Sequence, residues 1–163
     1  KEDSMKKVLI IYYSRTGNTK IMAKSVAEGV KEEGLEAVLK KVEEAKIEDL
    51  LDADGIIVGS PTYFGLPSAE IKKFFDESVK YYGKLEGKVG GAFSSSALTG
   101  GGNETTIIGI IEMMLIHGMI VQGTTKADHY GPVSVGKPTK KILDDCKLLG
   151  KRVAGLVKKL KGE

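Results

Sequence analysis

The chain has 163 residues, 41% of them apolar, enough to build one core of ordinary size and too many for a disordered segment. One cysteine and two histidines exclude an internal disulfide and a Cys-based zinc or iron–sulfur centre, and they disfavour a His-rich metal site. The formal net charge of +3 divides into −3 over residues 1–136 and +6 over residues 137–163, and that terminal basic excess fits the solvated face of a helix better than a nucleic-acid surface.

No apolar run approaches the ~20 residues of a membrane span, and the N-terminus lacks the apolar core of a signal peptide. A soluble, cytoplasmic protein is therefore expected. Residues 1–4, ahead of Met5, read as a cloning remnant, and residues 5–163 as one domain. Glycine accounts for 21 residues, well above the usual ~7%, yet there are only four prolines and no Gly-X-Y period, so these glycines need a structural reason.

Residues 7–13, Lys-Val-Leu-Ile-Ile-Tyr-Tyr, form a short apolar and β-branched run ending at a polar turn, as a strand buried on both faces does. Residues 18–33 follow as a helix, with Met22, Val26 and Val30 at helical spacing and Gly34 at the C-terminal cap position. A less apolar second strand over residues 35–42 suits a sheet edge, and a polar connection places Ile47, Leu50 and Leu51 on one side. Residues 55–59 are the third strand, and residues 68–82 an amphipathic helix carrying Ile71, Phe74, Phe75 and Val79. A strand over 88–95, a helix over 103–117 and a strand over 119–122 come next, then a loop over 124–136. A closing helix over 139–160 carries Leu143, Cys146, Leu149, Val153, Leu156, Val157 and Leu160 on its core side. Strand and helix alternate five times, which predicts an α/β fold with a five-stranded parallel sheet and helices on both faces. Ligands of such sheets bind at the carboxyl ends of the strands.

Three loops at those ends carry candidate chemistry. Ser14, Arg15, Thr16, Gly17, Asn18 and Thr19 lie between the first strand and the first helix, where hydroxyls and unpaired backbone N–H groups at a helix N-terminus suit a phosphate. One such residue suffices for a cap, so the surplus points to an anion. The loop is neither a P-loop nor a Gly-x-Gly-x-x-Gly loop, and with few basic residues it suits a monophosphate ester; Arg15 either adds charge there or stays solvated. Pro61, Thr62, Tyr63, Phe64 and Gly65 set two adjacent aromatics at a strand end, either as a shelf for a flat ring or as a lid on the sheet. Ser95, Ser96, Ala97, Thr99, Gly100 and Gly101 supply hydroxyls and glycine N–H groups suited to the polar edge of a planar heterocycle, or form a plain flexible loop. His129 and Tyr130, after the fifth strand, either reach the same site or remain solvated.

Residues 10–19, Ile-Ile-Tyr-Tyr-Ser-Arg-Thr-Gly-Asn-Thr, with Ala23 following, resemble the flavodoxin signature, whose Ser/Thr-rich loop wraps the phosphate of FMN. Residues 59–65, 93–95, 100–105 and 117–119, together with 153–156, resemble the tryptophan-repressor-binding-protein type of NAD(P)H:quinone oxidoreductase, and the likeness spans nearly all of residues 6–161. The resemblance implies a flavodoxin-like three-layer sandwich with strand order 2-1-3-4-5. It also implies noncovalent FMN, with Ser14 to Thr19 on the phosphate, Thr62 to Phe64 beside the isoalloxazine and Ser95 to Gly101 along its pyrimidine edge. Several features depart from that family. The chain is short, lacks an insertion after the second strand and has one extra residue before the glycines. Ile116 stands where the family has a flavin-contacting histidine, and Tyr81 or Tyr82 is left to replace a tryptophan that this Trp-free chain does not have.

Flavin carries the redox chemistry while a protein positions it, so the lack of a Ser-His-Asp or paired-carboxylate motif is consistent with hydride transfer from NAD(P)H to a quinone-like acceptor. The alternative is a flavodoxin shuttling electrons between redox partner proteins. Such carriers tend to be strongly acidic around the flavin, and this chain is not. The family resemblance also implies a homo-oligomer, dimer or tetramer, and neither nucleic acid nor membrane is expected as a partner.

Overall fold

The computed structural model describes residues 4–162. Of the residues read as a cloning remnant, 1–3 therefore lie outside the described residues. The elements run β1 (Lys7–Tyr12), α1 (Asn18–Glu32), β2 (Glu36–Lys41), α2 (Asp49–Asp52), β3 (Gly55–Pro61), α3 (Ala69–Glu77), β4 (Val89–Ser96), α4 (Asn103–Ile116), β5 (Ile120–Val121), β6 (Val133–Val135) and α5 (Lys140–Leu160). The strands are parallel in the order β2-β1-β3-β4-β5, with β6 also paired to β4. This is the flavodoxin-like order expected, with one short strand more.

Period-2 alternation along the strands divides the interior into two cores. Val8, Ile10 and Tyr12 of β1 face Met22, Val26 and Val30 of α1 and Cys146, Leu149 and Val153 of α5. Leu9 and Ile11 face the other way, with Ile56 and Val58, onto Ile71 and Phe74 of α3 and Ile107, Ile110 and Met114 of α4. Each fully buried aliphatic side chain of this kind contributes about 1.5–3 kcal/mol relative to exposure, which is why the interior of β1 tolerates no polar residue. Cys146 belongs to this packing: burial pushes its thiol up to about 12, so it offers no thiolate for chemistry.

Four details differ from the sequence expectation. The fifth strand is only two residues long, because the chain leaves the sheet at Gln122 and returns as β6 within the stretch read as a loop. Val133, Ser134 and Val135 alternate properly but are too short a run, between Pro132 and Gly136, to register as a strand. Helix α3 tightens into a 3₁₀ turn at Ser78–Tyr81, and the altered rotation per residue leaves Val79 exposed instead of in the core. Leu160 is exposed too, at the last position of α5, where the helix has run past the sheet, and Leu51 of α2 turns outward while Leu50 is buried. No helix among the described residues is long and apolar enough to cross a membrane.

Helix caps set up the site. Ser68 Oγ accepts the Ile71 N–H at the start of α3, and Thr139 Oγ1 accepts the Ile142 N–H at the start of α5. By contrast, glycines occupy the N-cap positions of α1 and α4, Gly17 and Gly102, and neither N-cap residue has a side chain to accept a first-turn N–H. Both of these ends open onto the carboxyl edge of the sheet.

Candidate functional site

The register brings the predicted loops together: Tyr12 lies beside Gly59, and Pro61 beside Ser95. In the first loop Ser14 Oγ accepts the N–H groups of Gly17 at 3.1 Å and Lys20 at 3.3 Å, while the Ile21 N–H donates to Gly17 O. That bonding leaves the N–H groups of Asn18 and Thr19 with no helical acceptor, at the positive end of a 15-residue helix. Arg15 and Thr16 are exposed at the rim. Thr19 is buried, and its hydroxyl lies 3.0 Å from Ser95 Oγ, so it ties the first loop to the third.

In the second loop Tyr63 and Leu66 exchange backbone hydrogen bonds of 3.0 and 3.1 Å. Phe64 and Gly65 between them take φ of 51° and 78°, the two positive angles of a type I′ turn. This turn lifts the Phe64 ring fully into solvent, at 107% relative exposure, which rules out the reading of Phe64 as a lid on the sheet. Tyr63 is half-buried and meets Tyr13 edge to face, 6.3 Å between centroids. Burial raises the Tyr63 phenol above its ordinary value, with Tyr13 adding to the rise and Arg15 opposing it, so the phenol remains a hydrogen-bond donor near neutrality.

The third loop is bound to the second at several points. Thr62 N–H donates to Ser95 O at 2.8 Å, and the Thr62 hydroxyl lies 3.0 Å from Ser94 Oγ and receives the Thr106 hydroxyl at 3.1 Å. Thr105 Oγ1 donates to Gly65 O at 2.7 Å and Gly102 O at 2.9 Å. The two loops touch so closely that a Cβ on Gly102, itself at φ 102°, would stand 2.6 Å from the Gly65 Cα. Within the loop Asn103 Nδ2 donates to Ser96 Oγ, which in turn donates to Leu98 O, both at 3.0 Å. Ala97, Thr99, Gly100 and Gly101 form an exposed crest above this network.

These bonds assemble the three predicted loops into one surface. Ser94, Asn103 and Thr105 lie in stretches the sequence reading quoted without giving them roles, and Thr106 lies just beyond them. Ser94, Thr105 and Thr106 hold the second and third loops together, while Asn103 braces the third from within. The signal for Asn103, Thr105 and Thr106 was a polar quartet, Asn-Glu-Thr-Thr, opening a helix that is otherwise apolar on nearly every face.

His129 is not bonded to any of the three loops. Its Nδ1–H donates to Thr124 O at 2.9 Å, which leaves Nε2 as the acceptor, and the ring lines a cleft of about 230 Å³ with Tyr130, Glu104 and Ile107 beside the first turn of α4.

The other residues read through the family likeness fall elsewhere. Helices α3 and α4 run antiparallel to the strands, so their C-termini lie at the opposite edge of the sheet. His117 is buried there with its Nε2 2.7 Å from Ser78 Oγ, and Ile116 is exposed on the outer surface. Tyr81 OH donates to Glu48 Oε1 at 3.1 Å, and Tyr82 is exposed. Neither tyrosine reaches the three loops of its own chain, and the His-Gly pair does not belong to the same-chain site.

Chemically, the surface offers open N–H donors to an anion, a raised aromatic ring to a flat partner, and a crest of glycine and serine main chain to a polar ring edge. Among the described residues no group of three His, Cys, Asp or Glu side chains is placed to hold a metal ion.

Comparison with known proteins agrees with this geometry. The family described as Flavodoxin matches residues 10–108. The chain is 46% identical over 159 residues to a protein of Aquifex aeolicus named "Flavodoxin", covering 92% of this chain and 86% of that one. It is 36% identical to a protein of Archaeoglobus fulgidus named "NAD(P)H dehydrogenase (quinone)", covering 96% of this chain and all of that one, in an alignment of 190 positions. The excess of aligned positions over residues here places added segments in that relative. Among solved structures, "the flavodoxin, WrbA-like protein from Agrobacterium tumefaciens" superposes with a TM-score of 0.80 at 31% identity, covering 94% of this chain and 98% of that one.

Proposed function

The chain belongs to the flavodoxin family, and from that premise we propose that it binds FMN noncovalently and passes electrons from NAD(P)H to quinone-like acceptors. The observation that carries FMN binding is the pairing of a helix N-terminus whose first two N–H groups are open with a fully exposed aromatic on a rigid turn. Open N–H groups at Asn18 and Thr19 would donate to the phosphate, with Ser14, Arg15, Thr16 and Gly17 walling it. Phe64 and Tyr63 would cover one ring face, while Pro61, Thr62 and Gly65 fix the shelf. Ser95, Ser96, Ala97, Thr99, Gly100 and Gly101 would follow the polar edge. This donor set fits a monophosphate on a flat heterocycle. It offers no second cationic cluster for a diphosphate.

When bound, FMN would accept hydride from a nicotinamide and yield electrons to an acceptor. The chain's own part is to orient the ring and leave one face open. His129, with Nδ1–H held by Thr124, would present Nε2 as a hydrogen-bond acceptor beside the first turn of α4. The quinone reading rests on relatives of that name covered along their whole length, and on a charge that is not strongly acidic. The carrier reading rests on the 46% identity to a protein named flavodoxin. We place the protein in the cytoplasm as one FMN-binding domain over residues 5–163 that assembles into dimers or tetramers.

The test has two stages. The purified protein should be yellow and release FMN on denaturation, identified by chromatography. Steady-state oxidation of NADH or NADPH should then depend on added benzoquinone. A yellow protein without such turnover, but able to relay single electrons between redox proteins, is the result that selects the carrier.

A further inference from the structure

Helix α5 carries a row of basic residues that are nearly all spoken for: Lys140 pairs with Asp144, Lys141 with Asp145, Lys147 with Glu28 and Glu32, Lys151 with Glu32, and Lys158 with Glu33. Two residues of the row have no ion pair among the described residues: Lys159, exposed to solvent, and Arg152. Arg152 is the one partly withdrawn from water. It is half-buried, its Nε is shielded from solvent without an acceptor, and among the described residues no carboxylate pairs with it. Burial lowers the affinity of its guanidinium for its proton, with no neighbouring charge acting against that, yet a guanidinium stays charged near neutrality. An unpaired buried charge destabilises a fold unless something binds to it.

The place where it lies is hollow. Because β5 ends after two residues, the chain from Gln122 swings outward before returning at Val133, and a cleft of about 470 Å³ opens between this segment and α5. That volume lies in the range of small-molecule sites. Gln122, Thr124 and Thr125 bring polar side chains to its wall, Lys126 adds a cation, and Leu148 and Pro132 provide an apolar side. Two carboxylates also line it: Asp145 is paired with Lys141 at 2.8 Å, while Asp128 accepts only the Val133 N–H at 3.3 Å and keeps its charge, one anion against the two cations Lys126 and Arg152 that have no paired carboxylate among the described residues. The excess charge in the cleft is therefore positive.

We propose that this cleft binds a small molecule through a carboxylate or phosphate group, with the Arg152 guanidinium as the recognising fork and Thr124 and Thr125 as flanking donors. The site is separate from the three loops proposed for FMN. Its planar five-donor cation suits a bidentate oxyanion, and its apolar side suits a compact hydrocarbon body.

Amide chemical-shift titration of the FMN-saturated protein tests it residue by residue, with benzoate and inorganic phosphate as separate probes. Saturable shifts at residues 122–126 and 148–152 with benzoate are expected if the head group is a carboxylate, and with phosphate if it is a phosphate. Arg152→Gln should abolish those shifts while leaving the thermal midpoint equal to or above that of the wild type. If that variant does not fold, Arg152→Lys keeps the charge without the fork and should weaken binding about tenfold. Shifts confined to residues 14–19 for both probes, unchanged titration in either variant, or a lowered thermal midpoint for Arg152→Gln in the absence of anion would overturn the proposal.

Discussion

Phe64 combines two features that a structural residue seldom does, a left-handed backbone at φ 51° and a ring wholly in solvent. A non-glycine residue held there costs on the order of 1–3 kcal/mol, a cost that marks functional positions. Asparagine tolerates that conformation, and Asn-Gly is the favoured pair for a type I′ turn. Phe64→Asn should therefore raise the urea midpoint of the FMN-free protein while weakening FMN, by about 0.5–1.5 kcal/mol beyond the lost contact area. A fall in FMN-free stability would show instead that the ring supports the fold. Thr16 offers the complementary test at the phosphate end. It is exposed beside the open N–H groups, so Thr16→Asp should repel a phosphate by about 1–4 kcal/mol, depending on how far water screens the pair. Fluorescence titration should show this loss of FMN affinity with an unaltered apoprotein midpoint, and unchanged affinity would remove the phosphate from this loop.

Helices α1 and α5 pack backbone against backbone, and two glycines permit it. A Cβ on Gly29 would stand 2.1 Å from Lys147 O, and one on Gly150 equally close to Val26 O. Backbone cannot yield as a side chain end can, so Gly150→Ala should force the helices apart and cost about 1–3 kcal/mol, read as a lower urea midpoint at unchanged m. Gly29→Ala should cost a similar amount, and the double variant less than the sum, because helices parted by one methyl group leave room for the other. Full additivity would mean that each glycine acts at its own helix alone. These roles were not legible in the chain, where Gly29 and Gly150 interrupt otherwise good helical patterns. What was legible is the periodic part: Met22, Val26 and Val30 predicted the buried stripe of α1, and residues 55–59 predicted the core of β3. The first loop could be read because its hydroxyls exceeded what a cap requires. The network of Ser94, Thr62 and Thr106 could not, because only the parallel register of β3 and β4 makes neighbours of residues so far apart in sequence.

At the scale of the whole molecule, the sheet has two unlike edges, and His117 lies at the one away from the loops. Sequence proximity to Gly118 and Met119 does not say which end of a helix faces a site, whereas chain direction does. At the edge away from the loops, the Ser78 hydroxyl donates to Phe75 O at 2.6 Å and so accepts the Nε2–H of His117. This fixes a neutral tautomer whose Nδ1 is buried without a partner. Burial lowers the His117 pKa below its ordinary 6.5, so the unfolded chain takes up a proton before the native state does. The associated stability is complete above that ordinary value and is lost as pH falls from it through the native value. Shifted carboxylates act in a different window: Glu48, held down to about 2 chiefly by Lys80, and Asp49, Glu32 and Asp144 matter only below their ordinary values of 3.8–4.5. The wild-type urea midpoint should therefore decline between about pH 7 and about pH 5. His117→Gln should be less stable near neutrality, having lost a fitted ring from the core, yet nearly flat across that interval. A variant retaining the wild-type slope would assign the proton uptake to a group other than His117.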